Sequence, residues 1–393
     1  MNGLFSIIVL ILTVGVAKLT VATLNRFFAR RLSKRLVVAG HTCNVSLIVA
    51  YALLLAFGPG SHQLRLLFGG HSPQVPVGIW LLVATGLFGL SLLLWAAVEY
   101  QLYAPPVCQT NCETHRVDLG RSFAGGSWRT TLVGPGPMRR IALLPGNEQF
   151  TLEVATKTYS LPRLPAAWDG LSLVQLSDLH FRGAVTREYF EFVCEQAAAL
   201  KPDLFVFTGD LLDDLRLLDW LPTTLGRLTA PRGQYFILGN HDWYLDPPAI
   251  RRELERLGWT DLASRCVSLT KHDAPPVVLC GDETPWMGTH PDPSSTPAEA
   301  FRILLSHTPD NITWARQQHI DVMLAGHTHG GQIRLPLLGP VYSPSRFGCR
   351  YSAGVFRLDP TLLYVSRGLS GREPIRYNCP PELTKLVFKR EAC

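Results

Sequence analysis

The chain has 393 residues, of which 47% are hydrophobic and 17% are charged, and its formal net charge is +6. The length allows one sizeable catalytic domain and a further segment. The low share of charged residues indicates that part of the chain lies in lipid. The 9 cysteines form no dense framework, so we expect free thiols rather than disulfides. No lysine- and arginine-rich run alternates with aromatic residues in the globular part, so no nucleic-acid partner is expected.

Three apolar stretches predict a transmembrane region within residues 1–103. They cover residues 4–24, 36–58 and 77–98, and each approaches or exceeds the roughly 20 residues that cross a bilayer. Trp80 and Trp95 lie near the ends of the third stretch, where an aromatic belt is expected. For the first two stretches, a buried helix of a soluble domain is the alternative.

Basic residues predict how these spans are oriented. The link between the first two spans, residues 26–35, is rich in lysine and arginine. In residues 59–76, which link the second and third spans, Arg65 is the only lysine or arginine. The positive-inside rule places the first link in the cytoplasm, and three spans then return the chain to the cytoplasm. We therefore expect an integral protein of a plasma or inner membrane with a cytoplasmic C-terminal domain. Loss of one span would reverse this orientation.

The remainder of the chain predicts a linker followed by an α/β domain. Residues 104–140 contain several pairs of proline and glycine, which are typical of turns. In residues 141–393, short apolar strand patterns alternate with helical patterns, which predicts sheets covered by helices. The predicted strands include residues 171–177, 204–208, 235–238, 302–306 and 322–325, and the predicted helices include residues 186–200, 215–228 and 247–257.

Five of these strands are each followed by side chains that can bind metal ions. Ligands of α/β sheets bind beyond the carboxyl ends of strands, so these side chains should converge on one edge. Carboxylate, amide and imidazole groups suit a pair of divalent cations about 3.5–4 Å apart. Each motif alone is commonly a turn or a surface feature, but five in succession indicate a metal centre. In chain order the side chains are Asp178 and His180, Asp210, Asn240 and His241, His307, and His327 and His329.

These motifs resemble those of the calcineurin-like metallophosphoesterase superfamily. Its pattern is D-x-H, G-D-x-x-D, G-N-H-[D/E], a lone H and G-H-x-H, and the resemblance covers residues 141–389. It implies a calcineurin-like two-sheet sandwich flanked by helices. It also implies an enzyme that hydrolyses a phosphate ester by attack of a metal-activated hydroxide.

The resemblance further implies a role for each motif residue. Asp210 would bridge two metal ions, and His241 would contact the phosphate and protonate the leaving group. Asp213 and Asp242 would support neighbouring groups rather than bind metal. Manganese is the favoured metal, with iron or zinc as alternatives. The remaining ligands would be Asp178, His180 and His329 for the first ion, and Asn240, His307 and His327 for the second.

Residues 164–171, 330–336 and 364–369 resemble a narrower group, the membrane-associated bacterial phosphodiesterases. Some members of that group hydrolyse UDP-2,3-diacylglucosamine. The resemblance therefore implies a phosphodiester or diphosphate substrate that is lipid-linked. Arg334 and Arg367 follow the last motif and are candidates for bidentate binding of this substrate, with a surface position as the alternative.

Two other functions fit the same motifs. A phosphoprotein phosphatase of the same fold is compatible with a cytoplasmic domain. A membrane sensor without catalytic activity would retain the metal site but lose turnover. The complete set of ligands, together with the candidate proton donor His241, argues against the sensor. No obligate protein partner is evident from the sequence.

Overall fold

The computed structural model describes residues 3–71, 74–122, 128–271 and 274–391. The chain forms two compact units. The first consists of residues 1–103 and 335–350, and the second of residues 104–334 and 351–393. We refer to them as the helical unit and the α/β unit.

The helical unit contains three long apolar helices. They are α1 (Gly3–Phe28), α2 (Lys34–Phe57) and α4 (Val77–Gln101), with the short α3 (Ser61–Phe68) between α2 and α4. Each long helix has the length and composition needed to cross a membrane. This finding confirms the prediction of three helices capable of spanning a bilayer.

Glycines bring α1 and α4 into close contact. A Cβ atom on Gly15 would lie 1.9 Å from the carbonyl oxygen of Gly86, and one on Gly89 would lie 1.9 Å from that of Gly15. Small residues allow helix backbones to approach closely where lipid offers no hydrophobic driving force between them. By contrast, large side chains such as Leu81 and Trp95 are exposed, as expected for residues that face lipid.

The α/β unit is built on two large sheets, and a two-stranded pair, β11 (Arg334–Leu335) and β12 (Gly339–Pro340), begins at its boundary. The strands of the first sheet are β1 (Gln109–Asp118), β2 (Thr151–Leu161), β3 (Leu171–Leu176), β4 (Leu204–Thr208), β5 (Gln234–Ile237), β6 (Trp259–Asp261) and β15 (Glu382–Arg390). Those of the second are β7 (Cys266–Leu269), β8 (Val277–Asp282), β9 (Phe301–Ser306), β10 (Val322–Ala325), β13 (Gly354–Leu358) and β14 (Thr361–Val365).

The order of the strands groups the main parallel strands next to one another in each sheet. The first sheet runs β1-β2-β15-β3-β4-β5-β6, and the second runs β13-β14-β10-β9-β8-β7. The strands β3 to β6 are parallel, as are β8, β9, β10 and β14. The helices of the unit are α5 (Leu119–Ser122), α6 (Trp128–Thr131), α7 (Arg139–Ala142), α8 (Arg187–Ala199), α9 (Asn240–Trp243), α10 (Pro247–Arg256) and α11 (Ile312–Gln317).

Strand β4 shows how the core is divided. Leu204 and Val206 pack between the two sheets, whereas Phe205 and Phe207 pack on the opposite face with residues of α8 and α10. Because both faces are covered, the strand is apolar at nearly every position, as is usual for parallel sheets. The arrangement confirms the predicted two-sheet sandwich flanked by helices.

Residues 104–140 differ from the predicted linker because they contain β1. This strand of ten residues pairs antiparallel with β2 at the edge of the first sheet. Its side chains are mostly exposed, so it lacks the apolar alternation from which a strand is predicted. The compact α/β unit accordingly begins at residue 104 rather than at residue 141.

The expectation that all cysteines are free is wrong for one pair. Cys266 and Cys280 form a disulfide. They lie directly opposite each other in the antiparallel strands β7 and β8. The register of these strands brings the two thiols together, and spacing along the sequence gives no indication of it.

Candidate metal centre

The predicted ligands converge at the carboxyl ends of β3, β4, β5, β9 and β10. Three groups of side chains place their ligand atoms within 4.8 Å of one another. Asp210 belongs to two of the groups, so these two share one carboxylate. The groups are Asp178, His180, Asp210 and His329; Asp210, His307 and His327; and His180, Asp213 and His241.

Asp210 lies at the centre of the cluster. Its Oδ2 atom lies 3.5 Å from His180 Nε2 and 3.2 Å from His307 Nε2. Its other oxygen, Oδ1, accepts a hydrogen bond of 2.8 Å from the backbone N–H of His241. One oxygen therefore faces imidazoles from both groups, which is the arrangement that a carboxylate bridging two cations requires.

Three imidazoles are oriented by acceptors at Nδ1. His307 Nδ1 lies 2.8 Å from the carbonyl oxygen of Thr208, and His329 Nδ1 lies 3.1 Å from that of Ser370. Carbonyl oxygens only accept hydrogen bonds, so both Nδ1 atoms carry the proton. His180 Nδ1 similarly lies 3.2 Å from Asp213. Their Nε2 atoms therefore face the cluster, the usual orientation of histidines that bind metals.

Asn240 lies beside the second group. Its Oδ1 atom is 3.1 Å from His307 Nε2, so the amide oxygen faces the same space as the imidazole. An amide oxygen and imidazole nitrogens together suit a divalent transition metal. The structure thus brings Asn240 to the position at which a ligand of a second ion is predicted.

The backbone of the cluster is held in an unusual conformation. Five of the predicted ligands have a positive φ, between 47° and 68°. For residues with a side chain this left-handed conformation costs about 1–3 kcal/mol each and persists where surrounding contacts enforce it. Such strain is concentrated at functional sites. The five residues are Asp178, His180, Asp210, His327 and His329.

The glycines of two motifs make room for ligands from other loops. A Cβ atom on Gly239 would lie 2.2 Å from Asp210 Oδ1, and one on Gly326 would lie 2.4 Å from Asp178 Oδ2. Contacts this short are not possible, so any larger residue would displace a ligand. The glycines of the G-N-H and G-H-x-H motifs are therefore required by the packing of the centre.

The centre concentrates buried negative charge. Burial raises the pKa of Asp210, but the neighbouring charges of His307, His241 and His180 bring it well below the usual range. Burial alone would lower the pKa of His307, yet Asp210 and Asp178 raise it to about 9. Burial likewise opposes the charge of His180, but Asp213, Asp210 and Asp178 raise its pKa to about 9. Protons on the imidazoles thus balance the carboxylates, a role that divalent cations would fill.

We expect metal affinity to increase with pH for this reason. Because the pKa values of His180 and His307 are raised to about 9, both imidazoles hold protons at neutral pH and lose them as the pH rises through 9. A metal must displace these protons to bind, so the association constant should rise by up to about tenfold per pH unit for each proton released. Calorimetric titration with Mn²⁺ in buffers of different ionisation enthalpy counts the protons. An affinity that does not change with pH would contradict this electrostatic account.

The donors fit two divalent cations. The cluster combines buried carboxylates, imidazoles whose Nδ1 atoms carry the proton and one amide oxygen. The negative charge of its carboxylates favours the binding of cations. Its two ligand groups share Asp210. The centre is therefore suited to a dinuclear metal site.

Asp242 connects the two loops that carry Asp210 and Asn240. Its carboxylate is fully buried and accepts hydrogen bonds from four backbone N–H groups, at 2.9–3.3 Å. Burial and the charge of Asp210 raise the pKa of Asp242 to about 7, whereas these N–H groups favour its charged form. Asp242 thereby fixes the loop that carries Asp210 to the loop that carries Asn240. The four donors belong to Gly239, Asp210, Leu211 and Leu212.

Replacing Asp242 with asparagine should therefore destabilise the α/β unit. The amide has one acceptor oxygen, and its NH₂ group would face N–H donors, leaving them unsatisfied. A buried donor left without an acceptor costs about 1–3 kcal/mol, so we expect the free energy of unfolding to fall by about 2 kcal/mol or more. A lower melting temperature of the purified full-length protein tests this. Asp219→Asn, at an exposed position, is the matched control and should melt like the wild type.

The two candidate substrate arginines differ in their surroundings. The guanidinium of Arg367 is largely buried and forms ion pairs with Glu153 and Glu382. Both of its partners belong to the first sheet, so these contacts give Arg367 a structural role. Arg334 donates a hydrogen bond of 2.8 Å from Nε to the carbonyl oxygen of Gly330, the residue that directly follows His329.

Two further residues near the centre are not among the predicted metal ligands. The ring of Trp286 is buried and lies 4.9 Å from that of His327 and 5.5 Å from that of His307. Arg376 is fully buried and donates to the carbonyl oxygens of His329 and Ser370. Neither belongs to a motif. Only the folded chain shows that they contact the ligands or the groups that orient them.

Comparisons with known proteins agree with this geometry. Residues 171–331 match the family model of calcineurin-like phosphoesterases. The metallophosphoesterase YkuE of Bacillus subtilis is 32% identical over 251 residues, which are 62% of this chain and 87% of YkuE. The phosphodiesterase YaeI of Escherichia coli is 31% identical over 216 residues, or 54% of this chain and 79% of YaeI. The UDP-2,3-diacylglucosamine pyrophosphatase LpxG of Chlamydia muridarum is 27% identical over 320 residues, or 66% of this chain and 96% of LpxG.

The fold and the cluster of histidines and aspartates define a metal-dependent hydrolase of phosphoric esters. The chain belongs to the calcineurin-like phosphoesterase family.

Proposed function

We propose that this protein hydrolyses a phosphodiester or diphosphate bond with two divalent metal ions bound at the centre. The first ion would be held by Asp178, His180 and His329, and Asp210 would bridge to the second. The observation that carries the proposal is the single Asp210 oxygen that faces imidazoles of both groups. The second ion would be held by Asn240, His307 and His327.

When bound, a pair of divalent cations neutralises phosphoryl charge and lowers the pKa of a coordinated water to near neutrality. Manganese is the metal that we propose, since the carboxylates, the amide and the imidazoles suit it; iron and zinc suit the same groups.

His241 is the residue that we propose as proton donor. Its side chain is 22% exposed, whereas those of His180 and His307 are fully buried. A substrate can therefore reach His241 from solvent. Its Nδ1 lies 2.5 Å from Asp213 Oδ1, which orients the ring so that Nε2 can hold a proton for the leaving oxygen.

A lipid-linked substrate is the class that we propose. LpxG, whose name specifies a UDP-linked diacylglucosamine, is aligned with two thirds of this chain, and three helices here are able to span a membrane. We propose Arg334 as the residue that binds the phosphate portion, because it lies beside the turn that follows His329. Arg367, which pairs with two glutamates, is left out of this role.

Hydrolysis assays on the purified full-length protein test this function. With Mn²⁺ added, we expect cleavage of bis(p-nitrophenyl) phosphate and of a nucleotide-linked diphosphate lipid, and loss of cleavage after chelation. Fe²⁺ and Zn²⁺, added to metal-free protein, provide the comparison of metals. Cleavage of a phosphopeptide alone would instead indicate a phosphoprotein phosphatase. Metal binding without cleavage of any substrate would indicate a sensor.

We also propose that the α/β unit lies in the cytoplasm. The basic residues between α1 and α2 support this orientation. The disulfide between Cys266 and Cys280 is a contrary observation, because disulfides are rare in the cytoplasm. C-terminal fusions decide the question: a fluorescent protein should mature, whereas alkaline phosphatase should remain inactive. Active alkaline phosphatase would place the unit outside.

A further inference from the structure

The helical unit includes a segment from the C-terminal half of the chain, residues 335–350. Two of its contacts lie at the end of α4. Gln101, the last residue of α4, donates a hydrogen bond of 2.9 Å from Nε2 to the carbonyl oxygen of Leu337. Gly339 packs on the ring of Tyr100, where a Cβ atom would lie 2.6 Å from the ring. We call residues 335–350 the returning segment.

The contacts place the returning segment at one face of the predicted membrane region. Successive membrane spans alternate in direction, so in the predicted topology the end of α1, the start of α2 and the end of α4 share this face. The ring of Tyr342 lies 6.3 Å from that of His41. His41 lies about 10 Å along α2 from Lys34, so the segment extends past the start of α2 to the depth at which tyrosines favour the membrane interface.

The returning segment presents apolar side chains to its surroundings. Leu337 is 78% exposed, Leu335 is 42% exposed and Tyr342 is 37% exposed. They are exposed beside helix surfaces that are themselves apolar and exposed. A bilayer would cover both kinds of surface at once.

Positive charge accompanies this apolar surface. The end of α1 and the start of α2 contain Arg26, Lys34 and Arg35, and the segment itself carries Arg346 and Arg350 at exposed positions. Basic groups beside a membrane are attracted to the phosphates of anionic lipids by about 1 kcal/mol each. A segment that carries both exposed leucines and exposed arginines matches the chemistry of a lipid leaflet, with acyl chains bordered by phosphates.

We propose that the returning segment inserts Leu335, Leu337 and Tyr342 into the lipid leaflet at this face, with anionic phospholipids as its partner. Insertion also has a consequence for the choice of substrate. This consequence, unlike the insertion itself, rests on the proposed function. His329 precedes Leu335 by six residues, which span at most about 20 Å even when fully extended. The last metal motif is thereby tethered near the leaflet, within reach of an amphipathic phosphate ester that stays anchored in it.

Photocrosslinking tests the insertion without requiring activity. The full-length protein, with benzoylphenylalanine at Leu337, is placed in nanodiscs of phosphatidylethanolamine and phosphatidylglycerol and irradiated. We expect lipid adducts, detected by mass spectrometry, at several times the level of a control with the same group at Leu144, which is 42% exposed in the α/β unit. Equal adducts at both positions would overturn the proposal. Adducts only to protein, when membranes from cells are used, would overturn it in favour of a protein partner.

A substitution tests the consequence for substrate choice. Leu337→Glu should lower the ratio of the rate on a diphosphate lipid to the rate on bis(p-nitrophenyl) phosphate by about tenfold, the effect of losing one buried leucine. Leu144→Glu should leave the ratio unchanged. An unchanged ratio in Leu337→Glu would overturn the tethering step. A wild-type protein that cleaves neither substrate would refute the proposed function, whereas the adducts would still decide whether the segment inserts.

Discussion

The variant Asp210→Asn should lose hydrolysis and bind neither metal ion tightly. The substitution removes the charge that two imidazoles face, at 3.5 Å from His180 and 3.2 Å from His307. Groups that only support metal ligands cost about 10- to 100-fold in affinity or activity when removed. Removing a carboxylate that both ions share should therefore lower metal affinity and activity by more than this.

Asparagine is the informative replacement because it preserves shape. Its amide oxygen can still accept the N–H of His241, a contact of 2.8 Å in the wild type, so the loop should keep its conformation. Metal content after dialysis, measured by mass spectrometry of the elements, should fall for both equivalents. Asp219→Asn should retain full metal content and rate. Two tightly bound equivalents in Asp210→Asn would refute the bridging role.

The ligands of the centre were predictable because the physics behind them is local. Each motif directly follows a short apolar strand, and parallel strands bring their carboxyl ends to one edge. The structure brings Asp178, Asp210 and His307, separated by up to 129 residues in the sequence, into one cluster. The glycines of the motifs could be read from the sequence, but the structural reason for them could not. It lies in contacts such as that between Gly239 and Asp210.

Other features depend on contacts that a sequence does not display. The groups that orient His307 and His329 are the backbone carbonyls of Thr208 and Ser370, and every residue has such a carbonyl. Strand β1 has mostly exposed side chains and so no apolar period. The helix predicted at residues 215–228 forms two 3₁₀ segments, the longer of which contains Pro222, and proline interrupts a regular helix.

The returning segment shows the same limit at the scale of the chain. Residues 335–350 follow the last metal motif directly, and the sequence predicts them as part of the α/β domain. In the structure their contacts are with Tyr100, Gln101 and His41 of the helical unit. Domain boundaries predicted from composition assume that each domain is one continuous segment. A later segment that packs with an earlier domain is therefore missed.

The variant His241→Ala should keep both metal ions and lose about 10²- to 10⁴-fold in rate, the usual contribution of acid–base assistance. The side chain is not needed to hold the loop, because Asp210 is bound by the backbone N–H of His241. The loss should depend on the leaving group. An alkoxide leaving group needs a proton, so a diester of an aliphatic alcohol should show the full loss. p-Nitrophenolate departs without one, so its diester should be affected much less.

Asp213→Asn provides the matched comparison for this prediction. Burial raises the pKa of the Asp213 carboxyl, but its hydrogen bonds and charge interactions with His180 and His241 lower it far below the usual range, so it is ionised and accepts hydrogen bonds from both imidazoles. Its removal should reproduce part of the loss seen in His241→Ala, with the same dependence on the leaving group. It should also weaken metal binding slightly, since His180 Nδ1 shares the carboxylate. If His241→Ala slows both diesters equally, His241 positions the phosphate and does not protonate the leaving oxygen.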